Sequence, residues 1–318
     1  MRGLILATVM LVLSGFDPAS AQSDAEVVAA RELFIAGSYR SALLVLVPAA
    51  EAGNAMAQNT VGTAYLEGLG GLPVDVNLGL DYYQRSAAQD YGPAFSNLGT
   101  LYLYGVSELK PDLTLARAYY EKAVDRGEVG SIAFLGAMWL DGRGGPASIP
   151  RAMALMQFGD AQGDAKSSYN LGHVYFQGFY VAQDLPQARA YFARAAERGL
   201  VEGLLGYGLA LEYGDGGPVD LDAAMRQYRA AIALGNLAAA IQASGIILED
   251  TNRYPDFIEA LVLCYWARDQ AEGTQAVEYG RICEETETHF SFFGISFANE
   301  RLLAMPPVQS GASADLSP

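Results

Sequence analysis

Histidine, cysteine and basic charge are scarce in this chain. Its 318 residues hold two histidines, His173 and His289, and two cysteines, Cys264 and Cys283. No Cys or His pair has metal-ligand spacing, so no metal is expected. Lys and Arg total 20 against 36 Asp and Glu, a formal charge of −16. Nucleic-acid binding needs a basic stripe to displace counterions, and docking on anionic lipid needs basic runs; neither is present. A Gly-x-Ser-x-Gly elbow and a Gly-x-x-x-x-Gly-Lys phosphate loop are also missing. The run Asp215 to Asp222 lacks the alternating ligands, central Gly and final Glu of an EF-hand loop. Glu284 and Glu285 are neighbours on a predicted helix and point in different directions. The expectation is a protein with no cofactor and no enzymatic activity.

Long hydrophobic runs are likewise missing. Leu4 to Leu13 is the one apolar stretch near the start, and it is too short to span a bilayer. Arg2 precedes it, and Ala19-Ser20-Ala21 follows with the small-x-small pattern of a secretory cleavage site. Residues 1–21 therefore read as a signal peptide cut after Ala21, with an uncleaved anchor as the alternative. The expected location is periplasmic or secreted, with no membrane insertion after cleavage. What the chain has in abundance is apolar material, 51% of residues, enough to exclude global disorder. Plentiful alanine favours helix.

Three features repeat with one period. A glycine recurs inside helix-like segments at Gly62, Gly99, Gly136, Gly172, Gly208 and Gly245, every 36 or 37 residues. Around it runs apolar-Gly-x-x-aromatic-x-x-Gly, as in Val61-Gly62 with Tyr65 and Gly68, Leu98-Gly99 with Tyr102 and Gly105, and Leu171-Gly172 with Tyr175 and Gly178. Glycine costs about 1 kcal/mol in a helix interior relative to alanine, so a glycine kept at one phase predicts close approach of two helices. The second glycine predicts a helix end. A short polar residue stands four before a small one at Ser38, Asp75, Asp112, Ser148, Asp184, Asp220 and Asp256, and all seven read as N-caps of second helices. Those helices end in small-residue pairs followed by glycine, as in Ala49 to Gly53 and Ala195 to Gly199, with aromatics such as Tyr82-Tyr83, Tyr119-Tyr120, Tyr191-Phe192 and Tyr228 before them. Each unit is then a helix hairpin, and one hairpin cannot bury its apolar face alone, so neighbours must stack.

These residues resemble the Sel-one-like repeat family, relatives of tetratricopeptide repeats, over roughly Ala25 to Gly273. The resemblance implies an all-α, right-handed α-solenoid of antiparallel helix hairpins. The expected organisation is a capping hairpin over 22–53, about six repeats over 54–273, capping helices over 274–304 and a disordered tail over 305–318. The sixth repeat departs from the pattern at Ser244 and Thr251. Phe290, Phe292, Phe293, Phe297, Leu302 and Leu303 are expected to seal the last repeat. Cys264 and Cys283 lie equally far from a turn predicted at Gly273-Thr274. A disulfide between them is a candidate, two buried free thiols the alternative.

The resemblance also implies a concave groove lined by the first helices. Positions placed on it are Asn59 and Thr63; Ser96, Thr100 and Tyr104; Tyr169, His173, Phe176 and Gln177; and Glu212 and Tyr213. Steps of three and four put each set on one helical face; packing between helices is the other use for its apolar members. The function implied is a repeat scaffold for protein–protein interaction, a regulator or assembly factor of the bacterial envelope. The alternative is a protein that binds cell-wall or β-lactam-type ligands. The partner expected is a protein, not a nucleic acid, and its identity and the oligomeric state stay open.

Overall fold

Each glycine period becomes one helix hairpin. A computed structural model describes residues 23–249 and 257–288, together with 298 and 302. The signal-peptide segment, Asp256, His289, the tail and the expected aromatic seal, apart from Leu302, lie outside the described residues. Leu302 is half-buried and packs on the C-terminal core.

The described residues form two compact units, one of residues 23–131 with 143–145 and one of the described residues of 132–142 and those from 146 onward. The first holds α1 (Asp24–Ile35), α2 (Tyr39–Glu51), α3 (Ala55–Glu67), α4 (Val76–Ala87), α5 (Gly92–Tyr104) and α6 (Leu113–Asp125). The second holds α7 (Ile132–Asp141), α8 (Ile149–Ala161), α9 (Ala165–Gln177), α10 (Leu185–Glu197), α11 (Val201–Tyr213), α12 (Leu221–Ala233), α13 (Leu237–Glu249), α14 (Phe257–Gln270) and α15 (Gly273–Glu287). Among the described residues there is no β-strand, only an isolated bridge between Val106 and Leu109. Within each unit every helix packs on the next in sequence, so both are all-α repeat solenoids.

The hairpins close by a recurring set of bonds. The second glycine is a left-handed C-cap at Gly68 (φ 69°) and Gly214 (φ 77°), a conformation that costs glycine nothing. The chain then returns so that the N–H of the second-helix cap donates to the carbonyl three residues after the core glycine. This bond runs from Asp75 to Tyr65 (2.9 Å), Asp112 to Tyr102 (2.8 Å), Ser148 to Trp139 (2.7 Å), Asp184 to Tyr175 (2.9 Å) and Asp220 to Leu211 (2.9 Å). The four aspartates also accept from backbone amides of their helices through the side chain. Ser38 and Ser148 stand at the N-cap of their helices as expected, but without a side-chain bond, so the position starts the helix in all six described copies and the side chain caps it only where it is aspartate.

The core glycine meets a side chain of its own hairpin rather than another backbone alone. A Cβ at Gly99 would lie 2.8 Å from the Tyr120 ring, one at Gly172 2.6 Å from Phe192, and one at Gly208 2.4 Å from Tyr228. Gly62 stands likewise against Tyr83, and Gly136 against Met156. Tyr83, Tyr120 and Tyr228 are fully buried. The second-helix aromatic just before this one stacks on the first-helix tyrosine: Tyr82 on Tyr65 (5.9 Å), Tyr119 on Tyr102 (5.6 Å) and Tyr191 on Tyr175 (5.7 Å). Gly245 meets nothing within 4 Å among the described residues, which fits the degenerate sixth copy.

Cys264 on α14 and Cys283 on α15 are joined by a disulfide with Cα atoms 5.6 Å apart. At the other end, Ser23 and Glu26 form a reciprocal capping box on α1. The first hairpin's outer side is not uniformly polar, because Leu33 and Leu44 remain exposed.

Candidate functional site

The first helices carry the side chains that the hairpin core leaves over, and the core glycine supplies a register for them. In the first unit most of that register is consumed by packing. Thr63 and Thr100, one residue after the glycine, bond the hydroxyls of Tyr83 (2.8 Å) and Tyr120 (2.9 Å). A buried phenol needs a partner, and threonine meets that need without a charge. Asn59 and Ser96 are buried rather than open to a groove, which corrects their placement on it. Asn59 accepts from Asn97 Nδ2 at 3.0 Å, and Ser96 from Ser131 Oγ at 2.8 Å. Each is covered by the following repeat, whose side chain completes its hydrogen bond. Tyr104, at the end of α5, is 60% exposed.

In the second unit the same register is more open. His173 takes the position of Thr63, and its ring meets the edge of Phe192 at 5.2 Å and of Tyr169 at 4.5 Å. The tyrosine-to-phenylalanine change at Phe192 removes the hydroxyl that threonine would satisfy, so an aromatic contact replaces a hydrogen bond. Burial pushes the His173 imidazole below its ordinary value. Phe176 and Gln177, at the end of α9, are exposed. On α11, Leu209 follows the glycine and cannot serve Tyr228; Glu212 accepts from the Tyr228 hydroxyl instead. Burial raises the Glu212 carboxyl above its usual range, and the charge of Glu249 adds to the rise, while bonds from Tyr228 and Tyr213 oppose it. Tyr213 is 62% exposed.

Thus Tyr169, His173, Phe176 and Gln177 share α9, and Glu212 and Tyr213 share the end of α11. Glu249 was absent from the sequence-derived set. Its signal was available, since it stands four after Gly245 as Glu212 stands four after Gly208. Among the described residues no group of three or more His, Cys, Asp or Glu is placed to hold a metal ion, and no helix is long and apolar enough to cross a membrane. The arrangement offers aromatic faces and carboxylates on helices held rigid by packing, which suits recognition of another molecule.

Comparison with known proteins agrees with this architecture. The Sel1 repeat family model matches residues 55–91, 96–128, 130–163, 165–200 and 201–236. Among solved structures, a Sel1 repeat protein from Oxalobacter formigenes is 27% identical with a TM-score of 0.61, over 71% of this chain and 88% of that one. A protective antigen of uropathogenic Escherichia coli displaying an SLR fold is 23% identical with a TM-score of 0.58, over 88% of this chain and 61% of that one. Comparison with curated protein sequences gave no significant match. With five repeats matched over more than half of its length, and with the hairpin geometry described above, the chain belongs to the Sel1 repeat family.

Proposed function

We propose that the protein is a periplasmic or secreted scaffold that holds a protein partner on the first-helix face of its repeats, as a regulator or assembly factor of the cell envelope. The observation that carries this reading is the set of large side chains the core does not use. Phe176 and Tyr213 end successive first helices of the second unit, 38% and 62% exposed. Exposed aromatics on a rigid framework supply contact area at little entropic cost and are the usual anchors of protein interfaces. The leader-like start, Leu4 to Leu13 followed by Ala19-Ser20-Ala21, supports export.

The test is recovery of partners from envelope extract by the secreted form of the chain, with chemical crosslinking. The expected result is a reproducible partner whose capture falls when Phe176 and Tyr213 are both replaced by Ala. Recovery of no reproducible protein, even after crosslinking, would count against the scaffold reading.

A further inference from the structure

Two second helices end in a pair of cations at one register. Arg194 and Arg198 stand five and one residues before Gly199 at the end of α10, and Lys122 and Arg126 stand five and one before Gly127 at the end of α6. At the same positions the other hairpins carry Arg85 and Gln89, Phe158 and Gln162, and Ala230 and Leu234. In the second unit the pair holds a carboxylate. Asp160, three before Gly163 on α8, accepts from Arg198 at 2.8 Å and Arg194 at 3.0 Å, and Ser168 donates to it at 2.8 Å. In the first unit the position of Asp160 is taken by Ala87, at the end of α4, and that of Ser168 by Phe95. The two cations are present and their anion is missing.

A cleft of about 340 Å³ stands in its place, lined by Ala87, Ala88, Phe95, Leu98 and Tyr119 together with Lys122 and Arg126. Its volume lies in the range of ligand sites, about 300–1,000 Å³. Lys122 Nζ is 5.5 Å from the centre of the Phe95 ring and 5.8 Å from that of Tyr119. It makes no hydrogen bond or ion pair among the described residues. Arg126 gives Nη2 alone to both oxygens of Asp90, at 2.8 Å each, which leaves Nη1 and Nε for another acceptor. Asp90 has a left-handed φ of 63°, where the corresponding turns use Gly53, Gly127, Gly163 and Gly199. A side chain is disfavoured in that conformation, and here its carboxylate tethers Arg126 beside the cleft.

We propose that this cleft binds an acidic side chain of a partner protein, whose carboxylate takes between Lys122 and Arg126 the place that Asp160 takes between Arg194 and Arg198. The proposal rests on the scaffold reading above and adds a second contact, on the second helices of the first unit. Hydrogen bonds between a cation and a carboxylate are among the strong ones, and the ring faces under Lys122 hold its ammonium without neutralising it. A carboxylate alone leaves the apolar wall of Phe95, Leu98 and Tyr119 uncovered, so an apolar side chain accompanies it. Residues two apart lie on one side of an extended segment, which sets the spacing of the two.

A random dodecapeptide phage library selected on the full chain tests this, with enriched peptides measured by fluorescence anisotropy at moderate salt. Enriched sequences should carry Asp or Glu two residues from Leu, Phe or Trp. Lys122→Gln should weaken their binding at least tenfold. Ala87→Asp should do the same, because the introduced carboxylate occupies the two cations. Replacing the peptide's acid by its amide should weaken binding to the native chain and have little further effect on the Ala87→Asp variant. Thermal melts supply a readout that needs no peptide: Ala87→Asp should lower the melting temperature less in the native chain than in a Lys122→Gln/Arg126→Gln background. Equal losses in both would show that the cations do not reach a carboxylate there and would overturn the proposal. Enriched peptides without an acid, binding that ignores both variants, or a library that yields no binder would overturn it too. The crosslinking experiment, read through Phe176 and Tyr213, decides the scaffold reading separately.

Discussion

At the scale of single residues, the repeat glycines are tied to the ring they face. Replacing Gly99 by Ala adds a methyl 2.8 Å from the Tyr120 ring, which is fully buried and bonded to Thr100, so it cannot withdraw. Overpacking of this kind costs about 1–3 kcal/mol and outweighs the ~1 kcal/mol that alanine contributes to a helix. Gly245→Ala meets nothing within 4 Å among the described residues, so it should stabilise by up to about 1 kcal/mol. Denaturant melts of the two variants should shift in opposite directions; equal shifts would show that the glycines do not act through packing. Glu212 makes a prediction in pH. Its carboxyl is raised in the folded chain, so the native state holds a proton that the unfolded state has lost. That contribution is present below the ordinary carboxylate range and disappears as pH rises through the raised value. Glu212→Gln removes this dependence. The variant's melting temperature relative to the native chain should therefore be higher at pH 7 than at pH 4, and a difference of opposite sign would refute the assigned cause.

At the scale of elements, the hairpins differ in what holds them. Asp160 at the end of α8 is buried and bound by Arg198 at 2.8 Å and Arg194 at 3.0 Å, with Ser168 donating to the same carboxylate. The group ties α8 to α9 and α10. Asp160→Ala leaves these cations without their anion in a partly desolvated place, and such losses cost about 3 kcal/mol when fully buried; with both arginines partly exposed, roughly half of that is expected. Arg198→Ala made in the Asp160→Ala background should cost much less than Arg198→Ala alone, as a double-mutant cycle would measure. The last two helices rely on a covalent staple. Closing a 19-residue separation restricts the unfolded chain by about 3 kcal/mol. Cys264→Ala/Cys283→Ala should lower the denaturation midpoint accordingly, and a variant as stable as the native chain would show the staple to be energetically idle.

At the scale of the whole molecule, stability in a repeat array accumulates from neighbour contacts, so opening begins where neighbours run out. In the second unit the repeats α9 to α12 lie within the family match, whereas α13 begins past residue 236 and its glycine meets no side chain among the described residues. Hydrogen exchange should therefore be slowest in α9 to α11 and faster toward α15. Reducing the disulfide should speed exchange in α14 and α15 and leave α9 unchanged. A uniform loss of protection would mean that the unit opens as a single block instead.

Much of this architecture was legible in the sequence. The 36- to 37-residue period, the glycine that ends most first helices and the Asp or Ser that starts each second one are local matters. They depend on backbone geometry and on bonds within a few residues, so residue type and spacing suffice to place them. The use of each remaining side chain was not legible, because it depends on what a neighbouring hairpin brings over it. Asn59 and Ser96 share a helical face with exposed residues, yet Asn97 and Ser131 of the following repeats bury them. Tyr228 turned to Glu212 because Leu209 replaced the hydroxyl found in earlier repeats. Two cysteines either side of a turn permit a disulfide; only the register of α14 against α15 brought their Cα atoms to bonding distance. Sequence determined the hairpin and its repetition because those follow from short-range hydrogen bonding and apolar periodicity. Tertiary structure decided which faces are spent on packing and which stay open, because burial is a property of neighbours that a chain acquires only when it stacks.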